Sequence, residues 1–477
     1  MNYQELTQLI AANPADSAIE ELKSGKRNTG KIDPEKKTYK TFYSQLEPEL
    51  HDVSNPLIRK DKVIKTDSGT ETESVARIAL ALQKLIVKRA VAFLFGNAPS
   101  LSADMENSVL DAVKAVFRDT HINTINRRIA KTMMSNREVA EYWYIEPSNE
   151  ENLRYGFKST DRLRCAIFAP EKGDTLYPYF DDNENLLAFS REYTKTRGKQ
   201  TETYFETYTK DEIFKWRVSG KDTTLLDGYP RQHILGKIPI VYGEQEKVEW
   251  ADVQSLIDRL EKLLSNFADT NDYHASPKIV VNGQILSWAK KGESGAVIEM
   301  AEGGTAQYLS WAQAPQAVEL EINTLLRMIH AITQTPDISF ENVKSLGGVS
   351  GVALKLLFMD SHLKAQEKRE IFDEYMQRRI SIIKAYLALM NPEQKFKTDC
   401  RDTIITAEIK PYTIDDIASE LNIIQSANGN QAVISHETSV ELGLRAIGLG
   451  KDPADELSQI RNEQTEAIAT ASAFGTI

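Results

Sequence analysis

Gly347-Gly348-Val349-Ser350-Gly351-Val352-Ala353-Leu354-Lys355 decides the reading of this chain. Its glycines free the backbone just ahead of about forty residues patterned as a single helix. Thr335-Pro336-Asp337-Ile338-Ser339-Phe340-Glu341-Asn342-Val343-Lys344-Ser345-Leu346 precedes the glycines. Together they make a loop of about fifteen residues, a length that without internal structure is usually functional or disordered. The helix expected from Ser350 to about Met390 would run roughly 60 Å if straight, and Asn391-Pro392 ends it. A flexible loop feeding a long rod describes a moving part on a scaffold.

Outward from the loop, the preceding residues read as a helical hairpin. Val253, Leu256, Ile257, Leu260, Leu263, Leu264 and Phe267 recur three and four apart, and Val318, Ile322, Leu325, Leu326 and Ile329 do the same within Gln316 to Thr333. Leu256, Leu260, Leu263, Leu325 and Ile329 are the candidate packing residues between the two helices. Between them lies a glycine-rich insert running to Pro315, with strand signals at Lys278 to Val281 and Ala296 to Met300. Helix, small β insert, helix is a hairpin with a decorated tip, and its stems would reach about 25 to 35 Å.

Residues 1 to about 65 read as polar and irregular, and Lys23, Lys26, Arg27, Lys31, Lys36, Lys37 and Lys40 make this early segment a basic arm. Helical periodicity begins with Ile78, Leu82, Leu85, Ile86 and Ala90, with Thr72 or Ser74 as the cap, and stops at Phe93-Leu94-Phe95-Gly96-Asn97-Ala98-Pro99. Helices are expected next from about Asp104 to Phe117 and from Ile122 to Met134. Between Val139 and Val241 short runs such as Glu141-Tyr142-Trp143-Tyr144-Ile145 and Thr203-Tyr204-Phe205-Glu206-Thr207-Tyr208 predict an antiparallel sheet. After the long helix, Thr403 to Ile409 reads as a strand. The chain then closes with short helices at Asp415 to Ala427, Glu437 to Ala446 and Pro453 to Ala469, capped in two cases by Ser435 and Asp452. The fold class is therefore mixed α+β, mainly helical.

Composition narrows the function classes. At 477 residues, 41% hydrophobic and 27% charged, the chain has ordinary globular composition and room for several compact units. Two cysteines, Cys165 and Cys400, exclude a disulfide framework. Neither a cationic-then-apolar start nor a long apolar run is present, so the expectation is a chain that is neither exported by a standard signal nor set in a membrane. The net charge is −11, and from Asp415 onward ten acids face only Arg445, Lys451 and Arg461, a surface that repels nucleic acid rather than clamping it.

Enzymatic motifs are missing from the sequence. Each Gly-Lys pair, such as Gly198-Lys199 and Gly450-Lys451, lacks the Ser or Thr that follows in a phosphate-binding loop, so no ATP site is expected. His436-Glu437 has no second histidine at the zinc-helix spacing, and no Gly-x-Ser-x-Gly elbow occurs. The expectation is a non-enzyme with no catalytic residue, cofactor or metal.

The order of elements, with Phe93-Leu94-Phe95-Gly96-Asn97-Ala98-Pro99, the loop exit Ser350-Gly351-Val352-Ala353-Leu354-Lys355, Ile434-Ser435-His436-Glu437-Thr438 and Glu456-Leu457-Ser458-Gln459-Ile460-Arg461-Asn462-Glu463, resembles the portal proteins of tailed bacteriophages, in particular the SPP1-type portal family. The resemblance spans about residues 50 to 470 and leaves the basic arm outside. It implies a dodecameric ring at one capsid vertex of the virion, assembled in the bacterial cytoplasm, through which double-stranded DNA enters and leaves. Implied partners are the terminase large subunit, the major capsid and scaffolding proteins and a head-tail connector or adaptor.

On that map, residues 1–65 form the arm, 66–245 the wing, 246–276 and 316–334 the stem helices and 277–315 the clip. Residues 335–349 form the tunnel loop, 350–412 the long wing helix and strand, and 413–477 a helical crown. The DNA-facing candidates of the loop are Asp337, Ser339, Glu341, Asn342, Lys344, Ser345, Gly347 and Gly348. Two other readings stay open: another phage head structural protein, such as an adaptor or minor capsid protein, and a metal-dependent nucleic-acid enzyme whose scattered acids converge.

Overall fold

The computed structural model describes residues 3–12, 15–25, 50–66, 69–219, 222–275, 278–287, 299–309, 314–336, 358–412, 417–429, 432–449 and 451–474. The chain divides into two compact units, one of Met1–Asp337 with Asp360–Tyr412 and one of Ile338–Met359 with Thr413–Ile477. Helix and sheet are mixed, and about half of the structure is helical.

In the first unit, α1 (Tyr3–Ala12) and α2 (Ala15–Ser24) precede a β-hairpin of β1 (Lys62–Thr66) and β2 (Gly69–Glu73). Then come α3 (Leu82–Phe95), β3 (Ser100–Ala103), α4 (Ser108–Asp119) and α5 (Ile122–Asn136). α4 is locally well specified. Asn107 caps it by accepting from the Val109 amide at 3.1 Å, and Asp111 and Arg118 sit at the ends where the helix dipole favours each charge. Val109, Ala112, Val113 and Val116 are buried on one face of α4, as Ile129, Ala130, Met133 and Met134 are on α5.

Two antiparallel sheets follow. The first orders β12 (Ile240–Glu244), β4 (Glu138–Asn152) and β5 (Ser159–Phe168), with Tyr142 opposite both Ile240 and Ala166. The second is a meander of β6 (Thr175–Phe180), β7 (Leu186–Arg197), β8 (Gln200–Tyr208), β9 (Glu212–Ser219) and β10 (Asp222–Leu225), with β11 (Arg231–Gln232) also on β9. Side chains alternate across it as strand geometry demands. Leu176, Phe189 and Tyr208 pack with Ala140, Phe168, Ile240 and Tyr242 of the first sheet, while Phe205, Phe214 and Trp216 turn to the opposite face.

That opposite face explains the first correction. Residues 1–65 are not irregular throughout: Leu6, Ile10, Ala18, Ile19 and Leu22 of α1 and α2 cover Tyr179, Ala188, Phe205, Phe214 and Trp216. The helices exist because a ready apolar sheet receives them; ten-residue helices have little stability alone.

Thr72 and Ser74, the expected caps, do not precede a helix. Thr72 lies in β2 opposite Val63, and α3 starts only at Leu82. Residues 75–80 stay extended because their amides are taken elsewhere: Ile78 donates to Ser265 Oγ at 2.9 Å and Leu80 to Glu261 Oε1 at 2.8 Å.

The rest of the unit is α6 (Gln254–Ala275), β13 (Lys278–Asn282), β14 (Ile285–Ser287), β15 (Glu299–Met300), β16 (Thr305–Leu309), α7 (Ala314–Ile332), α8 (Met359–Met390), α9 (Gln394–Asp402) and β17 (Ile405–Glu408). α9 was not expected after Pro392; it buries Phe396 and Cys400, one turn apart. β17 pairs antiparallel with β3, bringing residue 407 beside 101. Gly243 in β12 is fixed by space, since a Cβ there would lie 2.5 Å from Met133 Cε and 2.7 Å from the Tyr375 ring.

The second unit holds α10 (Ile417–Ala427), α11 (His436–Ala446) and α12 (Pro453–Phe474). Ser435 Oγ accepts from the Thr438 amide at 3.1 Å and Asp452 Oδ1 from the Ala454 amide at 2.8 Å, so both expected caps form. Among the described side chains of these helices only Leu444 and Leu457 are buried, whereas Ile423, Leu442, Ile447 and Leu449 are exposed.

Two outcomes follow. Deleting residues 1–25 uncovers Trp216, so its fluorescence should shift to the red and the protein should bind a hydrophobic dye that the intact chain does not. Within the sandwich, burial pushes Glu206 up, but Arg191, Lys215 and Tyr193 outweigh it and hold its pKa at about 2 instead of 4.5. A depressed carboxylate stabilises the fold fully above its ordinary value, and the contribution is lost as pH falls toward the folded value. The thermal stability advantage of the native chain over Glu206→Gln should therefore shrink between about pH 4.5 and pH 2.

Candidate functional site: a helical hairpin and its ionic root

α6 and α7 form the hairpin. Leu260, Leu263, Leu325 and Ile329 are buried and Leu256 is half-buried, all within the main apolar core, and the Arg259 guanidinium bridges the two helices to Glu321 at 2.7 Å. Twenty-two and nineteen residues correspond to about 33 and 28 Å of helix. Between them in sequence, β13 pairs with β16 from Lys278↔Leu309 to Asn282↔Thr305, and β14 pairs with β15. α7 carries a second apolar stripe away from the core. Leu320, 69% exposed, is followed by exposed Met328 and Ile332 at multiples of one helical turn.

At the base of α7 the chain is fastened by its carbonyl groups. Lys364 Nζ donates to Thr333 O at 2.8 Å, Ser361 Oγ to Gln334 O at 3.2 Å and Arg89 Nη1 to Pro336 O at 2.5 Å. Glu249 is the common anion here, with Lys364 Nζ at 2.7 Å and Lys368 Nζ at 3.0 Å. Burial drives the Glu249 pKa up, but the two ammonium groups prevail and keep it below the usual carboxylate range. Positions 333–336 thus leave the hairpin through a rigid gate held by α3 and α8. Asp337, Ser339, Glu341, Asn342, Lys344, Ser345, Gly347 and Gly348 lie outside the described residues, as do Ser350 to Lys355 of the expected helix start.

Farther along α8 is a fully buried pair. Arg379, 1% exposed, donates from Nε to Glu141 Oε1 at 2.8 Å and from Nη2 to Oε2 at 2.7 Å, while its Nη1 reaches Asn126 Oδ1 at 2.5 Å. Trp143 Nε1 and Tyr375 OH also donate to Glu141. The long helix, the central strand β4 and α5 meet at this one ion pair, α5 through Asn126 on the guanidinium. The charges of α8 are thus divided: Lys364, Lys368 and Arg379 have internal partners, whereas Arg378 and Glu374 pair in the open one turn apart.

The segment 50–80 lies along α6 and was invisible to periodicity. His51 Nδ1 and Glu261 Oε1, both fully buried, are 2.7 Å apart. Arg59 reaches Asn266 and Asp269 at 2.8 and 2.6 Å, and the Ala76 amide donates to Asp269 Oδ1 at 2.7 Å. A row of polar residues on α6 at Glu261, Ser265 and Asp269 is the only sequence signal of this strap, and it reads equally as a solvated face. Among the described residues no group of three or more His, Cys, Asp or Glu is placed to hold a metal, and no helix is long and apolar enough to cross a membrane.

A mixed helix-and-sheet body carrying a two-helix hairpin with a small β insert defines the structural class. The chain belongs to the phage portal protein family described as SPP1 Gp6-like, whose sequence model matches residues 29–470. The match begins earlier than expected, taking in Lys31, Lys36, Lys37 and Lys40 and leaving α1 and α2 outside. Among solved structures, the chain is similar to one in the neck of an empty gene transfer agent particle computed with C6 symmetry, with TM-score 0.43, 9% identity, and coverage of 75% of this chain and 89% of that one. It is also similar to one in the virion of a native gene transfer agent particle, with TM-score 0.37, 11% identity, and coverage of 76% and 88%. No curated protein matches the chain.

Arg379→Met leaves Glu141 buried and uncompensated, so it should cost about 3–5 kcal/mol in chemical denaturation. The double variant Glu141→Leu with Arg379→Met should recover most of that loss, because no charge is then stranded.

Proposed function

We propose that this chain is the ring subunit of a phage portal: a dodecamer at one capsid vertex of the virion that conducts double-stranded DNA during packaging and ejection. In this reading it also docks the terminase motor, which supplies the ATP hydrolysis, and a head-tail connector. The observation that carries the reading is the family match over residues 29–470. The hairpin gives it a physical basis. One stripe of α7 is spent on the subunit's own core, and Leu320, Met328 and Ile332 remain for a neighbouring copy, so wedges can pack side by side around an axis.

The assignments of regions follow from this. α6 and α7 are the stem, the insert between them the clip, and 335–349 the tunnel loop. Residues 66–245 and 350–412 are the wing, and the acidic helices from 413 the crown. Passage of DNA depends on repulsion. Each subunit carries −11, so a polyanion in the lumen is held off the wall and stays mobile. Lys344, beside Asp337 and Glu341, gives the loop one cation per copy. At physiological salt its field reaches only about 8 Å, which suits a brake or register contact better than a grip. The carbonyl groups of Thr333, Gln334 and Pro336 fix the root from which the proposed tunnel loop departs.

Deletion of Glu341 to Gly347 tests the proposal. Rings seen by electron microscopy and proheads should persist, while DNA filling or retention falls. Loss of the rings themselves would make the segment an assembly element and overturn the loop's role.

A further inference from the structure

The β1–β2 hairpin belongs to neither sheet of the sandwich, pairs strand to strand only with itself among the described residues, and is nonetheless held firmly. Its two legs, 50–61 and 74–80, are bonded to α6 through Glu261, Ser265, Asn266 and Asp269, as described above. At its foot Arg77 Nη2 donates to Asp61 Oδ1 at 2.8 Å and to Arg59 O at 3.0 Å, and the Val75 amide donates to Asp61 at 3.2 Å. Isolated two-stranded hairpins are marginal in water; this one stands on a pedestal of cross-bonded arginines and aspartates.

What the pedestal presents is unusual for a solvated hairpin. Lys62 to Lys65 are exposed, as is every residue of β2, and Val63 is 66% exposed with Ile64 beside it and Leu57 and Ile58 open on the adjoining leg. Among the described residues both strands have an outer edge with no further strand on it, and such edges are templates for strand addition. The two edges are not alike. Lys-Val-Ile-Lys-Thr makes β1 basic and Gly-Thr-Glu-Thr-Glu makes β2 acidic, with Lys62 opposite Glu73 and Ile64 opposite Glu71 on one face.

We infer that β1 of one copy adds antiparallel to β2 of the next, so that the hairpins of neighbouring subunits join into a continuous sheet. The inference rests on the ring reading above and specifies one of its contacts. A hairpin has strands of opposite direction, so a following β1 laid beside β2 continues the antiparallel order at each junction. The contact is head-to-tail, joining unlike edges, which is the kind that closes into rings. On one face of each junction Lys62 of one copy meets the Glu71 and Glu73 pair of the next, Lys65 lying on the other face with Val63, and backbone hydrogen bonds supply the remaining affinity. It also covers Val63 and Ile64.

The test uses full-length chains mixed during assembly. A Val63→Cys chain combined with a Thr70→Cys or Thr72→Cys chain should give covalent dimers on oxidation, whereas each chain alone, like the wild type, should not. Separately, Lys62→Glu and Glu73→Lys chains should each assemble about fivefold more weakly, roughly the effect of one unfavourable cross-strand charge pair. Mixing those two should restore assembly. Within either chain residues 62 and 73 still repel, so rescue can come only from pairing between chains. Rings without the disulfide, or a mixture no better than its parents, overturn the strand addition and leave the ring reading standing. A wild-type chain that stays monomeric overturns both.

Discussion

Arg379 lies near the middle of α8, and its guanidinium finds both oxygens of Glu141 in a compartment without solvent. A charge placed there alone would be untenable, and the planar fork of arginine is what makes it admissible: two parallel bonds to the carboxylate and a third to Asn126. The carboxylate is in turn saturated by Trp143 and Tyr375. Such a pair contributes little net stability compared with an apolar substitute, and its bidentate geometry ties Arg379 of α8 to Glu141 of β4. The position of α8 along β4 therefore sets where Lys364 and Lys368 arrive about three to four turns earlier, and with them the anchorage of positions 333–336.

Apolar and polar contacts divide the work. Leucine and isoleucine packing joins α6 to α7, which tolerates small adjustments of the helices. The strap and the root of the loop are instead held by directional bonds at Glu261, Asp269 and Glu249, which do not. The acidic second unit differs again: with Leu444 and Leu457 buried and several large apolar side chains open, it has little core of its own among the described residues.

Local periodicity made some of this legible. α4, α5, α6 and α7, together with the caps at Ser435 and Asp452, are encoded by residues within a turn or two of each other. The strap was not legible, because the partners that keep residues 75–80 extended sit nearly two hundred positions away on α6. α1 and α2 were missed for a related reason: their apolar spacing is short and acquires meaning only against Phe205 and Trp216. Lys364 and Arg379 looked like members of a mixed charged face, since nothing in helical spacing marks which charge has a buried partner. Resemblance supplied what periodicity could not, the kind of assembly, while the loop residues from Asp337 to Gly348 fall outside the described part of the chain.

In the proposed ring, copies of the chain close around an axis with the segment after Pro336 on the inside. A cryo-electron microscopy reconstruction of the assembled chain measures it directly. The account predicts an annulus in which Leu320, Met328 and Ile332 are covered by the adjacent copy and the chain leaving Pro336 projects into the lumen. A closed particle in which that segment points outward, or in which the α7 stripe faces solvent, would contradict it.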